Sequence, residues 1–513
     1  MYAQVVSGTL SGIGAELIRV EADLAKGLPN FFIVGLPDAA VREARERIRS
    51  AIINSGFGFP AKRITVNLSP ANMKKEGTHL DLPIAMCLLL AGGLIQSRDI
   101  GEYAFIGELS LDGRIKSIKG ALPLAVGLKG GGVKKLFLPK ENMVGMRDLK
   151  EMEYYPVESL AEIADHFNGC KYVDRWEMGE REEEGQEEDD GDFRDIAGQE
   201  EIKRALEISA AGGHSLLLMG PPGSGKTMMA SRIVSILPPI SDKEFLEITQ
   251  IYSVAERLNS RGEMARKRPF RAPHHTISVA AFAGGGSKPK PGEITLAHNG
   301  ILFLDELPEF KRNSLEALRQ PMENREITIN RMSGNVTYPA DFLFIGACNP
   351  CPCGYYGDPK IPCSCSIGQI KSYRSRLSGP LMDRIDIHVR VHPVDYESMA
   401  MGNGDMDVGT DSTYIRRRVE KARHIQEKRF RGQETGLNSQ MDYSQIRKYC
   451  EIDRETELFL KEAFKKLGLS ARAYQKIFKI ARTIGDIDDV PRIGITQIAE
   501  AIRYRNLDRP LDF

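Results

Sequence analysis

A multi-domain α/β protein is the fold class this sequence predicts, and three observations carry it. Short apolar runs at Ser215–Met219, Gly300–Leu304 and Phe342–Ala347 alternate with helix-patterned stretches, as a parallel sheet with helical crossovers requires. A glycine-rich segment, Gly220-Pro-Pro-Gly-Ser-Gly-Lys-Thr227, follows the first run and opens a helical pattern. The chain has 513 residues, room for roughly three to four domains of about 150 residues.

Apolar residues make up 42% and charged residues 27% of the chain, which places it among globular proteins and excludes a largely disordered polymer. The longest apolar run, Leu82–Ile95, is shorter than the roughly 18 to 20 residues that cross a bilayer, and Pro83 and Gly92-Gly93 interrupt it. It predicts a buried core helix and no membrane partner. The opening MYAQVVSGTLSG has neither a basic nor an apolar export region, so the expected location is cytoplasmic.

Before residue 168, strand-like segments at Gln4–Ser7, Ala15–Val20, Phe31–Val34, Arg63–Asn67 and Ala104–Ile106 alternate with helical patterns at Asp38–Ser55, Leu82–Leu94 and Ala121–Leu128. These define an N-terminal α+β domain over 1–168. Formal net charge is zero, but Glu177–Asp192 carries ten acids against one Arg, so the remainder is +9. That acidic run cannot bury itself and marks a linker over 169–192. A core over 193–393 follows, and a helical C-terminal domain over 394–513 closes the chain. Its candidate helices are Arg416–Phe430, Ile446–Glu451, Asp453–Leu467, Ser470–Gly485 and Thr496–Arg503. Bases cluster at 261–271, 371–376 and 416–431, a distribution that suits either a polyanionic partner or solvated helix faces.

The chemistry concentrates in the core. In Gly220-Pro221-Pro222-Gly223-Ser224-Gly225-Lys226-Thr227, with Met228 behind it, the glycines let backbone N–H groups surround phosphate oxygens at a helix N-terminus. Lys226 supplies charge to the β and γ phosphates and Thr227 a hydroxyl to Mg²⁺. The strand Ile301–Leu304 ends in Asp305, suited to hold Mg²⁺, and Glu306, suited to activate water. The strand Phe342–Ala347 leads to Cys348-Asn349-Pro350, where Asn349 either senses the γ-phosphate or starts a turn before Pro. Eight cysteines without an export signal argue against disulfides, and five fall between Cys348 and Cys365. Cys351, Cys353, Cys363 and Cys365 form two CxC pairs, four thiols that suit tetrahedral Zn²⁺ or stay as reduced thiols in a loop.

Phosphate loop, acid-ended strand, Asn-Pro strand and the Asp383-Arg-Ile-Asp386 segment, in this order, resemble an AAA+ ATPase. More narrowly, FRAPHHTIS (270–278), GGGSKPKPGEITLAHNGILFLDELPEF (284–310), ACNPCPCG (347–354) and LSGPLMDRIDI (377–387) resemble the magnesium chelatase-like YifB/ComM family over essentially the whole chain. NLSPANMKKEGTHLDLPIA (67–85) and GELSLDGRIKSIKGALPLA (107–125) resemble a Lon-protease/S5-type fold, but the positions around 81–85 hold no Ser, and Ala, Leu and Pro follow Gly120 where a Lys is expected.

The resemblance implies a ring-forming, hexameric homo-oligomer with active sites between subunits, ATP and Mg²⁺ as ligands, and a helical lid. Arg384 would act as an arginine finger and Arg472 as a sensor arginine, each stabilising charge on the transferred phosphoryl group. In-chain ion pairing of Arg384 to Asp383 or Asp386, and a solvated helix start at Arg472, are the competing readings. The clade would carry a helix-2 insert, matched by ARKRPFRAPHHTIS (265–278), and a hairpin with Arg331 and Ser333-Gly334 near its turn, both facing a ring channel. Arg266, Lys267, Arg268, Arg271, His274 and His275 then suit a nucleic-acid backbone, with structural or nucleotide-proximal histidines as the alternative. The implied function is an ATP-driven translocase or helicase on single-stranded or branched DNA, independent of sequence, promoting branch migration beside recombination proteins in natural transformation. A chelatase-type motor or protein remodeller is the alternative.

Overall fold

The structure, a computed structural model, describes residues 1–96, 99–177, 191–258, 264–286, 290–331, 334–392 and 411–505. Most of the acidic linker, Arg261, the Arg331 side chain, Ser333 and the expected boundary at 393/394 lie outside the described residues. The contacts divide the chain into two compact units, Met1–Glu184 with Ser241–Arg266, and Gly185–Ile240 with Lys267–Phe513. The sequence expectation ran the core unbroken through 241–266.

The first unit is a seven-stranded sheet of β1 (Tyr2–Ser11), β2 (Gly14–Ala25), β3 (Asn30–Val34), β4 (Arg63–Ser69), β5 (Tyr103–Phe105), β6 (Lys135–Pro139) and β7 (Glu153–Val157), ordered β3-β4-β2-β1-β5-β6-β7. β1 and β2 pair antiparallel, as do β2 and β4, and the other pairings are parallel. In β2, Ile18, Val20, Ala22 and Leu24 are buried while Arg19 and Asp23 are exposed, the period of two that a strand requires.

On one face lie α1 (Ala39–Asn54) and α2 (Asp81–Ala91). α1 is started by the Asp38 carboxylate, which accepts a 2.9 Å hydrogen bond from Val41 N–H. After Asp81 α2 is apolar all round, and it is buried at every residue but Leu90, as expected of a helix enclosed on all sides. α3 (Ala121–Gly130) covers the opposite face with a second cluster that takes in Leu124, Leu136 and Tyr154. The helix Asp242–Val254 packs on α3 and sets Leu246 against this cluster. Its apolar face finds its partner there, which is why 241–266 belongs with the first unit. Strands β6 and β7 lacked a sequence expectation, because each is short and apolar without alternation.

The second unit is built on a five-stranded, wholly parallel sheet. Its strands are β8 (Leu216–Met219), β9 (Phe270–Arg271), β10 (Ile301–Leu304), β11 (Leu343–Cys348) and β12 (Ile387–Arg390), in the order β9-β10-β11-β8-β12. β8, β10 and β11 are buried at every residue, as strands covered on both faces must be. Phe270–Arg271 is therefore the sheet's edge strand, paired with Ile301–Leu302, and not a projecting insert. The expected hairpin is present as Glu326–Arg331 against Gly334–Pro339. Four C-terminal helices, α4 (Ser412–Arg429), α5 (Arg454–Leu467), α6 (Ala471–Ile487) and α7 (Ile495–Arg503), share the core of the sheet through Val419, Leu460, Ile477, Ile484 and Ile498. Among the described residues no helix is long and apolar enough to cross a membrane.

His79 sits in the first unit's interior at 3% exposure, with Nε2 3.0 Å from the Gly8 carbonyl oxygen. Burial pushes its pKa down to about 4 from 6.5. The unfolded chain takes up a proton that the folded one refuses, so this contribution is whole above pH 6.5 and is lost as pH falls to 4. It amounts to about 3 kcal/mol. Trp176, the single tryptophan, lies in this unit beside Tyr154. Urea unfolding followed by its fluorescence should show stability falling from pH 7 to pH 4.5, and His79→Gln should flatten that dependence.

Candidate functional site

The site gathers at the carboxyl ends of three adjacent parallel strands. Leu218 pairs with Ala347, Met219 with Cys348 and Leu304 with Gly346, so the segments leaving β8, β10 and β11 start side by side. In open α/β sheets ligands bind at these strand ends.

Leaving β8, the loop Gly220–Gly225 runs into a helix, Lys226–Arg232. Gly223 and Gly225 have φ of +75° and +79°, the left-handed region open to glycine. At Gly220 an added Cβ would stand 2.6 Å from the Val391 carbonyl oxygen, so only glycine fits. The Lys226 ammonium, 8% exposed, donates to the Gly220 and Pro221 carbonyls at 2.9 and 2.8 Å and to Asn349 Oδ1 at 3.3 Å. Burial lowers its pKa, opposed by the carboxylate of Asp305.

Thr227 Oγ1 donates to Asp305 Oδ2 at 2.7 Å. A hydroxyl and a carboxylate meeting at a strand end are hard oxygen donors, the set that suits Mg²⁺. Glu306 follows in the left-handed region at φ +50°, uncommon for a residue with a Cβ, and its N–H donates to Asp305 Oδ1 at 2.8 Å. That backbone turn points Glu306 away from the strand register, and its Oε2 lies 3.2 Å from His275 Nδ1. His275 also lies against His274, with ring centroids 4.1 Å apart. The sequence had flagged the His pair without deciding its role; the pairing with Glu306 crosses from the β9 edge and has no short-range signature.

Lys226, Thr227, Asp305 and Asn349 are thus brought together, whereas Arg384 and Arg472 are held elsewhere. Arg384 Nη2 pairs with Glu323 at 2.5 Å and Nη1 donates to the Pro380 carbonyl at 2.8 Å. Neither Asp383 nor Asp386 is its partner. Asp383 takes Arg472 at 3.2 Å on an exposed face. Asp386, with 13% of its side chain exposed, is held by Lys476 at 2.8 Å and by the buried His214 at 3.2 Å. Burial alone would raise its pKa, but Lys476 and then His214 outweigh that and hold the carboxyl well below its usual range.

The basic clusters are largely spent inside the chain. Arg268 donates to the carbonyls of Pro238 and Asn299, and Arg271 makes a two-point pair with Glu293. Arg266 pairs with Asp242, Arg418 with Glu207, Lys421 with Asp489, and Arg429 with Asp486. Arg416 and Arg423 bind the carbonyls of Ser235 and Ala210. Charge counted along the sequence therefore overstates the cation available to a polyanion.

The four thiols converge. Cys351 Sγ lies 3.4 Å from Cys353 Sγ and 3.6 Å from Cys363 Sγ, Cys353 Sγ lies 3.5 Å from Cys363 Sγ, and all four sulfurs, Cys365 included, fall within 4.8 Å of one another. Cys348 is buried apart from them, its thiol pushed up to about 12 by burial.

A parallel sheet with a phosphate loop, an acid pair and an Asn at neighbouring strand ends defines an AAA+ P-loop core, here joined to a Lon-protease/S5-like unit. The family description "Magnesium chelatase, subunit ChlI" matches residues 192–399, "Subunit ChlI of Mg-chelatase" matches 20–142, and "Magnesium chelatase, subunit ChlI C-terminal" matches 409–505. An uncharacterized protein YifB of Escherichia coli K12 is 42% identical over 506 residues, 98% of this chain and 96% of that protein. Competence protein ComM of Haemophilus influenzae is 40% identical over 514 residues, 99% and 98% of the two chains. A Lon protease of Chloroflexus aurantiacus is 29% identical over 164 residues, 29% of this chain and 20% of that protein. The chain belongs to the YifB/ComM family of magnesium chelatase-like proteins, a membership that implies ATP and Mg²⁺.

Removing one partner of a fully buried ion pair costs about 3–5 kcal/mol, and the Lys476–Asp386 pair keeps 14% and 13% of its side chains exposed. Lys476→Ala should therefore destabilise the second unit by about 2–3 kcal/mol in chemical denaturation followed by circular dichroism, whereas Arg472→Ala, which breaks an exposed pair, should change it by less than about 1 kcal/mol.

Proposed function

We propose that the chain is an ATP-hydrolysing, ring-forming DNA translocase. The convergence of Lys226, the Thr227–Asp305 pair and Asn349 at adjacent strand ends carries the ATPase part of this reading. In it, residues 220–228 hold the nucleotide, and Thr227 and Asp305 hold Mg²⁺, which neutralises charge between the β and γ phosphates. Glu306 accepts the proton of the attacking water, and His275 positions its carboxylate. Asn349 orients the water or the γ-phosphate. Arg384 leaves Glu323 to reach the neighbouring subunit's nucleotide, and Arg472 acts from the lid in its own subunit. Domains then run as 1–168, an acidic linker, a core over 193–393 from which 241–266 is given over to the first unit, and a helical lid over 394–513.

The DNA part rests on the relative named as a competence protein, 40% identical over nearly the whole of both chains. On that ground the substrate is single-stranded or branched DNA, gripped through its phosphates without regard to sequence. The process is branch migration in homologous recombination during natural transformation, in the cytoplasm and beside recombination proteins. The first unit is a docking or DNA-contacting domain without peptidase chemistry. Asp81, in the segment where a Ser would be expected, is buried and paired with Arg47 at 2.8 and 3.0 Å. Ala121, Leu122 and Pro123 fill the segment where a Lys would be expected, and all three are buried.

The deciding experiment is the ATPase rate with and without single-stranded and forked DNA over a salt series. Stimulation of several-fold at low salt that fades as salt rises is expected. An intact basal rate that no DNA changes would move the reading to a motor acting on a protein partner, chelatase-type or remodelling. Glu306→Gln should bind nucleotide and lose hydrolysis by about 10²-fold or more, and normal turnover would remove Glu306 from its role.

Shared sites make a further demand. Arg384→Ala and Lys226→Ala should each abolish hydrolysis, and mixing the two should restore part of it, because some interfaces then combine an intact loop with an intact arginine. Failure of every mixture would exclude the inter-subunit arginine.

A further inference from the structure

The four-thiol cluster lies against the phosphate loop, and the contact between them has a consequence for nucleotide binding. Cys351 and Cys353 stand two and four residues after Asn349, on the segment that leaves β11. The last residue of β11 already meets the loop, where Gly220 N–H donates to the Cys348 carbonyl at 3.2 Å, and the segment itself touches the loop at two places. Lys226 Nζ donates to Asn349 Oδ1 at 3.3 Å. Gly354, at φ +89°, lies so close that a Cβ on it would stand 2.5 Å from Pro222 Cδ.

No regular secondary structure spans Asn349–Ser366, so something other than a ladder or a helix must hold these contacts in place. Outside the thiols, Arg374 ties the segment to the helix that follows, its Nε donating to the Pro350 carbonyl at 3.1 Å and its guanidinium lying 5.4 Å from the Tyr356 ring centroid. Gly354 and Asp358 N–H close turns onto the Cys351 and Tyr355 carbonyls at 3.0 and 3.1 Å, and the Asp358 carboxylate accepts from Lys360 and Ile361 N–H at 2.8 and 2.9 Å. The sulfurs join the two ends of the segment. Their separations of 3.4, 3.5 and 3.6 Å are near the edge of about 3.8 Å of a tetrahedron with metal–sulfur bonds of about 2.3 Å, and far from the about 2.0 Å of a disulfide. Cys353 N–H donates to Cys365 Sγ at 3.3 Å, a backbone hydrogen bond of the kind that orients a thiolate ligand. Four soft thiolates with no imidazole or carboxylate among them select Zn²⁺ over the hard cation expected at Thr227 and Asp305.

We infer that Cys351, Cys353, Cys363 and Cys365 hold one zinc ion that braces the phosphate loop through Gly354 and Pro222, so that nucleotide affinity depends on zinc occupancy. The dependence rests on the reading of residues 220–227 as the nucleotide site; the zinc site does not.

The test uses the full-length protein, purified in reducing buffer without chelator. Elemental analysis should find close to one zinc per chain. Removing the metal with a chelator, dialysing the chelator away and titrating a fluorescent ADP with Mg²⁺ should show affinity about ten-fold weaker, and restoring zinc should recover it. Gly354→Ala should keep its zinc and still bind nucleotide more weakly, because the added methyl disturbs the contact with Pro222 and leaves the thiols alone. Cys363→Ser should lose zinc, and reversible stripping of the unsubstituted protein keeps the test valid if that variant fails to fold.

Zinc-free protein that takes up none from zinc-containing buffer, or iron in its place, would overturn the site. Zinc removal that leaves nucleotide affinity unchanged would overturn the bracing. Lys226→Ala separates the two readings: with zinc retained it should lose nucleotide binding, and unimpaired binding would sink the nucleotide assignment while leaving the zinc result standing.

Discussion

Parallel pairing of β8 between β11 and β12 is the constraint on which the rest of the second unit depends. Those four-residue registers, Leu216 to Met219 against Ile345 to Cys348 and Ile387 to Arg390, put the phosphate loop and Asn349 on neighbouring strand ends. They also fix the neck of the loop, since Gly220 is enclosed by Val391 from one neighbour and bonded to Cys348 from the other. A parallel strand has no tight turn to its neighbour, so every pairing requires a helical crossover, and the helical layers around this sheet follow from that demand.

Electrostatics in this unit serve the architecture first. Asp386 is largely shielded beside Lys476 and His214, and Asp486 is buried with Arg429 and Arg482, each acid tying the C-terminal helices to the sheet or to one another. A buried carboxylate is tolerated only when cations and donors replace its water. Much of the positive charge that stands out in the sequence is used in this way. The residues left with a chemical task are few and sit where the strands end.

The helix Asp242–Val254 gives the first unit a segment from within the core's sequence. Its amphipathic surface is satisfied on α3, with Leu246 in the apolar cluster there and Lys119 paired to Glu256 on the exposed side. A helix with one apolar stripe takes whichever complementary surface the fold presents, and sequence order does not say which surface that is. The same limit explains His275. Its neighbours in the chain place it after an edge strand, and only the approach of β9 to β10, together with the left-handed turn at Glu306, sets it beside that carboxylate.

Local pattern determined a good deal. The five N-terminal strands expected from alternation all form, within a few residues of their expected ends. The all-apolar Leu82 segment is a buried helix, the three core strands are buried throughout, and the phosphate loop follows the strand predicted for it. Period, glycine placement and caps are short-range properties, and they are written in consecutive residues. The strand Phe270–Arg271 has only two residues, and Lys135–Pro139 and Glu153–Val157 show no alternation of buried and exposed positions, so these three exist by virtue of their neighbours.

By itself, then, the sequence determined most of the elements, the nucleotide-binding motif and the family to which they belong. Tertiary structure alone decided that Arg384 rests on Glu323 and not on the acids beside it, that four thiols from two separated pairs meet at one point, that the basic runs are mostly neutralised, and that residues 241–266 fold with the first unit. The physical reason is common to all four. Ion pairs, metal-ligand geometry and the packing of an apolar face act through space between residues far apart in the chain, and their partners are set only when the sheet and its helices have closed around them.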